Sequence, residues 1–226
     1  MKLLLNIPFT GSIFALIYYK PNKMPFKKLH PEIQEKLTDL KIETPTSFQR
    51  KSIPVIKSGS NVYCTAAKGS GKTTTLILTT LQKLKYKAVG TLPRAIVVVE
   101  TKEKALELYE AFLAYTRHSS LRVYVGHEHI YLDLQKSEIF EGVDILISTP
   151  DTMNKLFLSN GVGTSQLLIF NIDDAEFLAK NSAYNALMSI TQSIHKCQYV
   201  LYSEKKSAVL KRFESYFMEY AKTIAV

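Results

Sequence analysis

Short, nearly continuous apolar runs rich in β-branched residues recur along the chain: Asn61–Thr65, Ala95–Glu100, Leu121–Val125, Asp144–Ser148, Leu167–Ile172, Gln198–Tyr202 and Thr223–Val226. Runs that do not alternate apolar with polar positions are the pattern of strands covered on both faces. Segments with helical spacing lie between most of them, clearest at Thr74–Tyr86, Lys102–Thr116, Ile130–Phe140, Tyr184–His195 and Lys205–Tyr220. Two more, Pro31–Leu40 and Thr46–Lys57, precede the first run. This alternation predicts an α/β fold, a largely parallel sheet of about seven strands with helices on both faces. No repeat, low-complexity tract or long linker interrupts it, so residues 24–226 read as one domain. In open sheets of this class ligands bind beyond the carboxyl ends of the strands, and candidate chemistry belongs there.

Composition narrows the class. A chain of 226 residues with 46% hydrophobic and 22% charged positions can bury its own core, which excludes global disorder, collagen and a disulfide scaffold. Two cysteines, Cys64 and Cys197, with no CxxC pair exclude a cysteine-based zinc site and fit a reducing, cytoplasmic setting. His127 and His129 are the one close histidine pair, and an i, i+2 pair in a loop is a slender basis for a metal site. The net charge of +9 fits either a polyanionic partner or a lysine-rich solubilising surface. Residues 3–19 carry no charge and follow Lys2, in the manner of a signal peptide or short anchor. Asn6, Pro8, Thr10, Gly11 and Ser12 break that run, and no A-x-A site follows. A third reading starts translation at Met24. Residues 1–23 are therefore taken as a dispensable N-terminal extension, with no membrane association favoured.

The first run leads into Ala66-Ala67-Lys68-Gly69-Ser70-Gly71-Lys72-Thr73, followed by Thr74 and a helical segment. Gly69 and Gly71 let the backbone turn its N–H groups toward a phosphate. Lys72 can reach the β- and γ-phosphates, the Thr73 hydroxyl can ligate Mg²⁺, and the helix adds its positive end. Strand, glycine loop and helix in that order are the context a P-loop requires, so Ala67, Lys68, Gly69, Ser70, Gly71, Lys72, Thr73 and Thr74 become candidate nucleotide contacts. The acids Asp173-Asp174-Ala175-Glu176 follow the run Leu167–Ile172. An acid after an apolar strand, opposite a P-loop, is the Walker B arrangement, and Asp173 is the candidate to hold Mg²⁺ through water.

With Ala66 in place of the usual first glycine, the loop resembles the A-x-T-G-x-G-K-T motif of DEAD-box RNA helicases. Pro45-Thr46-Ser47-Phe48-Gln49 resembles that family's Q motif, preceded by Ile42 at the usual aromatic position. The resemblance implies that Gln49 reads the adenine edge and that Phe26 stacks on the base. An amide, which both donates and accepts, suits adenine. Thr101-Lys102-Glu103 looks like P-T-R-E-L, with Glu100 for proline and Lys102 for arginine. Gly126 stands at the family's glycine pair, and Thr149-Pro150-Asp151-Thr152 looks like T-P-G-R with Asp151 and Thr152 substituted. The last stretch also reads simply as a strand end and helix N-cap. The resemblance makes Thr101, Lys102, Gly126, Thr149 and Pro150 RNA-backbone contacts. The lost arginine and gained acid imply weak RNA binding.

Asp173-Asp174-Ala175-Glu176 stands where the family has D-E-A-D. The resemblance therefore assigns catalysis to Lys72, Asp173 and Asp174. Asp174 is one methylene shorter than the family's glutamate, a retreat of ~1.5 Å where misplacement of that order can cost ~10²-fold in rate. Tyr202-Ser203-Glu204-Lys205 stands at F-S-A-T, with Ser203 alone matching the S-A-T triplet. The resemblance covers about Met24 to Val226, the span of the first RecA-like lobe. In the family a second lobe carries arginine fingers, worth ~10³–10⁵ in related phosphoryl transfers. The expectation is therefore an ATP- and Mg²⁺-binding lobe with weak RNA binding and little hydrolysis or unwinding alone, completed by a second RecA-like lobe in trans. A non-catalytic, nucleotide-regulated RNA- or protein-binding module is the other reading. An unrelated P-loop kinase or ATPase is a third, against which Gln49 argues.

Overall fold

The computed structural model describes residues 25–226, so the expectations for residues 1–23 lie outside the described residues. Seven strands form one sheet: β1 (Val62–Thr65), β2 (Ala95–Val98), β3 (Val123–Gly126), β4 (Ile145–Ser148), β5 (Ile169–Ile172), β6 (Gln198–Ser203) and β7 (Lys222–Ala225). Their spatial order is β3-β4-β2-β5-β6-β1-β7, and every pairing is parallel. Between and before them run α1 (Pro31–Asp39), α2 (Ser47–Lys57), α3 (Lys72–Lys83), α4 (Lys102–Thr116), α5 (Leu132–Glu141), α6 (Pro150–Leu158), α7 (Asn181–Gln192) and α8 (Ala208–Arg212).

Alternate residues of each strand enter opposite layers, as the two-residue period of a strand demands. Val62, Cys64, Ala95, Val97, Ile145 and Ile147 pack with Phe48, Ile53, Leu76, Leu81 and Phe112 of α2, α3 and α4. Tyr63, Ile96, Val98, Leu146 and Phe170 pack on the other face with Met153, Leu156, Leu187, Ile190 and Phe213. The expected α/β sheet with helices on both faces is what forms.

Two helical expectations change. The segment Lys205–Tyr220 is not one helix. Ser207 caps the five-residue α8, a 3₁₀ turn covers Phe213–Ser215, and the chain then turns back toward β7. Phe217 packs there at a tilt against Tyr199 and Phe213, with ring centroids 4.7 and 4.9 Å away, so burial of aromatic surface rather than helical spacing sets the path. Conversely, α6 is a full helix that the run pattern passed over. Its start was legible in Thr149 at the N-cap and Pro150 at the first position.

The amino ends of β2, β3 and β4 are clamped by one carboxylate. Asp144, fully buried, accepts from Arg94 Nη2 at 2.8 Å and from Arg122 Nε at 2.9 Å. The backbone N–H groups of Arg122 and Val89 also donate to it, at 3.1 and 3.3 Å. Burial alone would raise this carboxyl, but the hydrogen bonds from Arg122 and Arg94 hold it below its ordinary value. The clamp lies at the opposite end of the strands from the phosphate loop.

Candidate functional site

The loop between β1 and α3 is built by backbone geometry. Gly69 and Gly71 have φ of +79° and +93°, the left-handed region that glycine enters freely. A Cβ on Gly71 would lie 2.7 Å from Gln49 Nε2, so the loop also needs glycine there for the close approach of that side chain. Ala67, Lys68 and Gly69 are exposed, Ser70 and Gly71 half-buried. Lys72, at the start of α3, is buried and donates from Nζ to Ala66 O at 2.7 Å and Ala67 O at 3.2 Å. Its ammonium is thus held under the loop, within one side chain's swing of the space where a phosphate would sit. Thr73 is exposed and Thr74 half-buried on the first turn of α3.

Thr73 Oγ1 donates to Asp173 Oδ2 at 3.5 Å, which joins the loop to the carboxyl end of β5. The other Asp173 oxygen, Oδ1, is buried with no partner. A buried, unpaired carboxylate oxygen beside a hydroxyl is a fit for a hard cation. Among the described residues no group of three or more His, Cys, Asp or Glu gathers into a metal site. Mg²⁺ suits this sparse donor set because it keeps several waters and takes phosphate oxygens as further ligands. Thr73 and Asp173 are the residues that would hold it, and it would supply charge neutralisation at the phosphates.

Burial, and secondarily the Asp174 carboxylate, push Asp173 up to about 6. A raised carboxyl binds its proton better in the folded state than in the unfolded one. Stability should therefore fall as pH rises from about 4 to about 6 and stay lower at pH 7. Asp173→Asn removes that cost. Without metal at pH 7 the variant should be more stable than wild type by about 1–3 kcal/mol, while Mg²⁺-dependent stabilisation by nucleotide disappears. Thermal denaturation with and without chelator at pH 5 and pH 7 checks both. A variant no more stable than wild type at pH 7 would contradict the site's electrostatics.

Asp174 sits in the left-handed region at φ +47°, and its Oδ2 lies 3.3 Å from Lys104 Nζ. Lys104, in the first turn of α4, also reaches Glu100 Oε2 at 3.5 Å, and Lys180 Nζ meets Glu100 Oε1 at 3.0 Å. The candidate hydrolytic acid is therefore paired with a cation of its own chain. Residue spacing did not bring out Lys104, although a second lysine in Lys102-Glu103-Lys104 was the available signal. Glu176 Oε1 accepts from the Glu204 N–H at 2.5 Å. That bond joins the acidic turn after β5 to the segment after β6.

Gln49 occupies the third helical position of α2 in a reciprocal cap. Its N–H donates to Thr46 Oγ1 at 3.1 Å, and its Oε1 accepts from the Thr46 N–H at 2.9 Å. Thr46 Oγ1 in turn donates to Ser70 O at 2.7 Å, and Gln49 Nε2 lies 3.5 Å from Gly71 O. The Q-motif residues and the phosphate loop are thus one hydrogen-bonded unit. Phe26 is buried against that layer and lines a hollow of about 220 Å³ with Leu37 and Ile42.

The remaining sequence candidates fall along the carboxyl edge formed by β2, β3 and β4. Thr101 caps α4 by accepting from the Lys104 N–H at 3.3 Å, and Lys102 Nζ lies 2.8 Å from His129 Nδ1. Gly126 ends β3, while Thr149 and Pro150, both buried, begin α6. The Thr149 and Thr152 hydroxyls pair at 3.1 Å.

Comparison with known proteins gives a consistent picture. The family model described as DEAD/DEAH box helicase matches residues 46–208. The ATP-dependent RNA helicase DeaD of Mycobacterium tuberculosis (strain CDC 1551 / Oshkosh) is 25% identical over 196 residues, 84% of this chain and 34% of that protein. The ATP-dependent RNA helicase RhlB of Shewanella baltica (strain OS155) is 28% identical over 153 residues, 66% of this chain and 35% of that protein. Among solved structures, a DEAD box protein from Methanococcus jannaschii superposes with a TM-score of 0.80 at 18% identity, over 88% of this chain and 54% of the other. A variant of S. cerevisiae Dbp5 bound to RNA and ADP BeF3 gives 0.78 at 18% identity, over 88% and 50%. The chain thus spans about a third of those curated relatives' length and about half of the solved chains.

Proposed function

The chain belongs to the DEAD/DEAH box helicase family, and on that premise we propose that it is an ATP-binding RecA-like lobe that takes Mg-ATP at the β1–α3 loop and binds RNA weakly along its β2–β4 edge. The observation that carries this is the meeting of Thr73 with Asp173 Oδ2 across the loop, beside the buried Asp173 Oδ1 that has no partner. Lys72 is the phosphate-binding cation, Gln49 and Phe26 face the adenine, and Asp174 is the candidate to orient the attacking water. Thr101, Lys102, Gly126, Thr149 and Pro150 are the RNA-side residues. Unwinding and brisk hydrolysis by these 226 residues are not expected, because a second RecA-like lobe, in trans or fused, would supply the opposing arginines.

A second reading, a non-catalytic module that uses nucleotide as a regulatory ligand, is favoured by one observation, the pairing of Asp174 with Lys104. Fusing an intact second lobe separates the two. Turnover that rises on fusion, and again on Asp174→Glu, supports a catalytic lobe; turnover absent in both supports the regulatory module.

RNA affinity should depend steeply on salt. Each phosphate neutralised by a lysine or arginine should add about −0.7 to the slope of log K against log salt. Titration of a labelled single-stranded oligonucleotide across salt concentrations measures it, alongside ATPase assays with and without that RNA. Salt-insensitive binding, or RNA-stimulated turnover at ordinary helicase rates from the chain alone, would overturn this account.

A further inference from the structure

Beyond the phosphate site, the loop after β3, the start of α5 and the first turns of α6 line an open cavity of about 400 Å³. It lies toward the carboxyl edge of the sheet, where Thr152 on its wall bonds the Thr149 hydroxyl just after β4. Ile130 and Leu132 give it apolar walls, Thr152 and Gln135 polar ones, and Lys155 a cation. Gln135 is almost fully buried and donates from Nε2 to the carbonyls of His127 and Ile130 at 3.1 and 2.7 Å. Those bonds fix the loop as one wall of the cavity. The Thr152 hydroxyl bonds Thr149, so the opposite wall continues into the start of α6.

Tyr131 is the unusual member of this group. Its backbone is fixed, since its carbonyl accepts from the Gln135 N–H at 3.1 Å, yet the residue is 88% exposed. A held aromatic with a bare ring at the mouth of a cavity contributes little to the core and offers a flat π-face. Aromatic rings presented this way are platforms for nucleobases, and the volume lies within the range of small-ligand pockets. Lys155 on the wall, and Lys102, whose Nζ lies 2.8 Å from His129 Nδ1 on the same wall, supply cations for the attached phosphates, against the single carboxylate of Glu128 among the lining residues.

We propose that this cavity receives one nucleobase of bound single-stranded RNA, stacked on Tyr131 with Lys155 at its phosphate. The proposal rests on the RNA reading above and adds to backbone binding a base-dependent contribution from the Tyr131 ring that salt does not screen. Fluorescence anisotropy with two oligonucleotides of equal length, one with bases and one fully abasic, tests it in wild type, Tyr131→Ala and Tyr131→Phe. Tyr131→Ala should bind the base-containing strand roughly tenfold more weakly, with an unchanged salt slope and unchanged affinity for the abasic strand. Tyr131→Phe should keep wild-type affinity for both. Equal losses on the two strands, or no loss on either, would overturn the base site while leaving RNA binding standing. If wild type binds neither strand at low salt, the RNA reading fails, and the base site with it.

Discussion

Asp144→Ala should destabilise the fold by about 3–5 kcal/mol, the range expected when one partner of a buried ion pair is removed and the other is left uncompensated. Two guanidinium groups converge on this carboxylate, and Arg94 is itself only 5% exposed. The loss also frees the backbone N–H groups of Arg122 and Val89, and so loosens the start of three strands together. For a domain of this size the thermal midpoint should drop by roughly 10 °C. Asp144→Asn should lose less, because an amide oxygen still accepts. Because the folded-state carboxyl is held below its ordinary value, wild type keeps this contribution above about pH 4 and loses it as pH falls further. Urea titration followed by circular dichroism measures the difference. A loss under 1 kcal/mol would show that the pair is ornamental to the sheet.

Lys72→Ala should abolish stabilisation by Mg-ATP. A ligand present at a hundred times its dissociation constant stabilises by about 2.7 kcal/mol, or roughly 5–10 °C for a chain of this length. The buried ammonium lies against the Ala66 and Ala67 carbonyls, so its removal leaves the loop's glycines in place but takes away the positive charge beneath it. Differential scanning fluorimetry against a millimolar nucleotide series reads the shift directly. A wild-type protein that shows none, or a variant that shows the same shift, would remove the phosphate-site reading.

Much of this was legible in the order of residues, for a physical reason. Strands buried on both faces leave few polar positions, and Val62–Thr65, Ala95–Val98 and Ile145–Ser148, with Thr65 and Ser148 only at their ends, announce themselves by near-continuous apolar runs. The phosphate loop is equally plain because a left-handed backbone beside a helix start demands Gly69 and Gly71. What remained hidden depends on side chains meeting across long stretches of sequence. Lys104 and Asp174 are 70 positions apart, and no spacing rule joins them. The sequence marks Gln49 as a candidate amide for adenine but not as the partner of Thr46 in a helix cap that also grips Ser70. The break after α8 was missed because aromatic stacking around Phe213 overrides a helical pattern that continues in sequence.

The position of β1 within the sheet also bears on how the protein is made. This strand carries the phosphate loop, yet its two neighbours, β6 and β7, are the last strands in the chain. At about 5–20 residues per second, a ribosome needs on the order of ten seconds to reach β6 after finishing β1. Throughout that interval both edges of β1 lack their native partners, and an unpaired apolar strand is a template for pairing with the wrong chain. The strand that leads into Lys72 and Thr73 is thus late to be secured between its native partners and exposed to misassembly during synthesis.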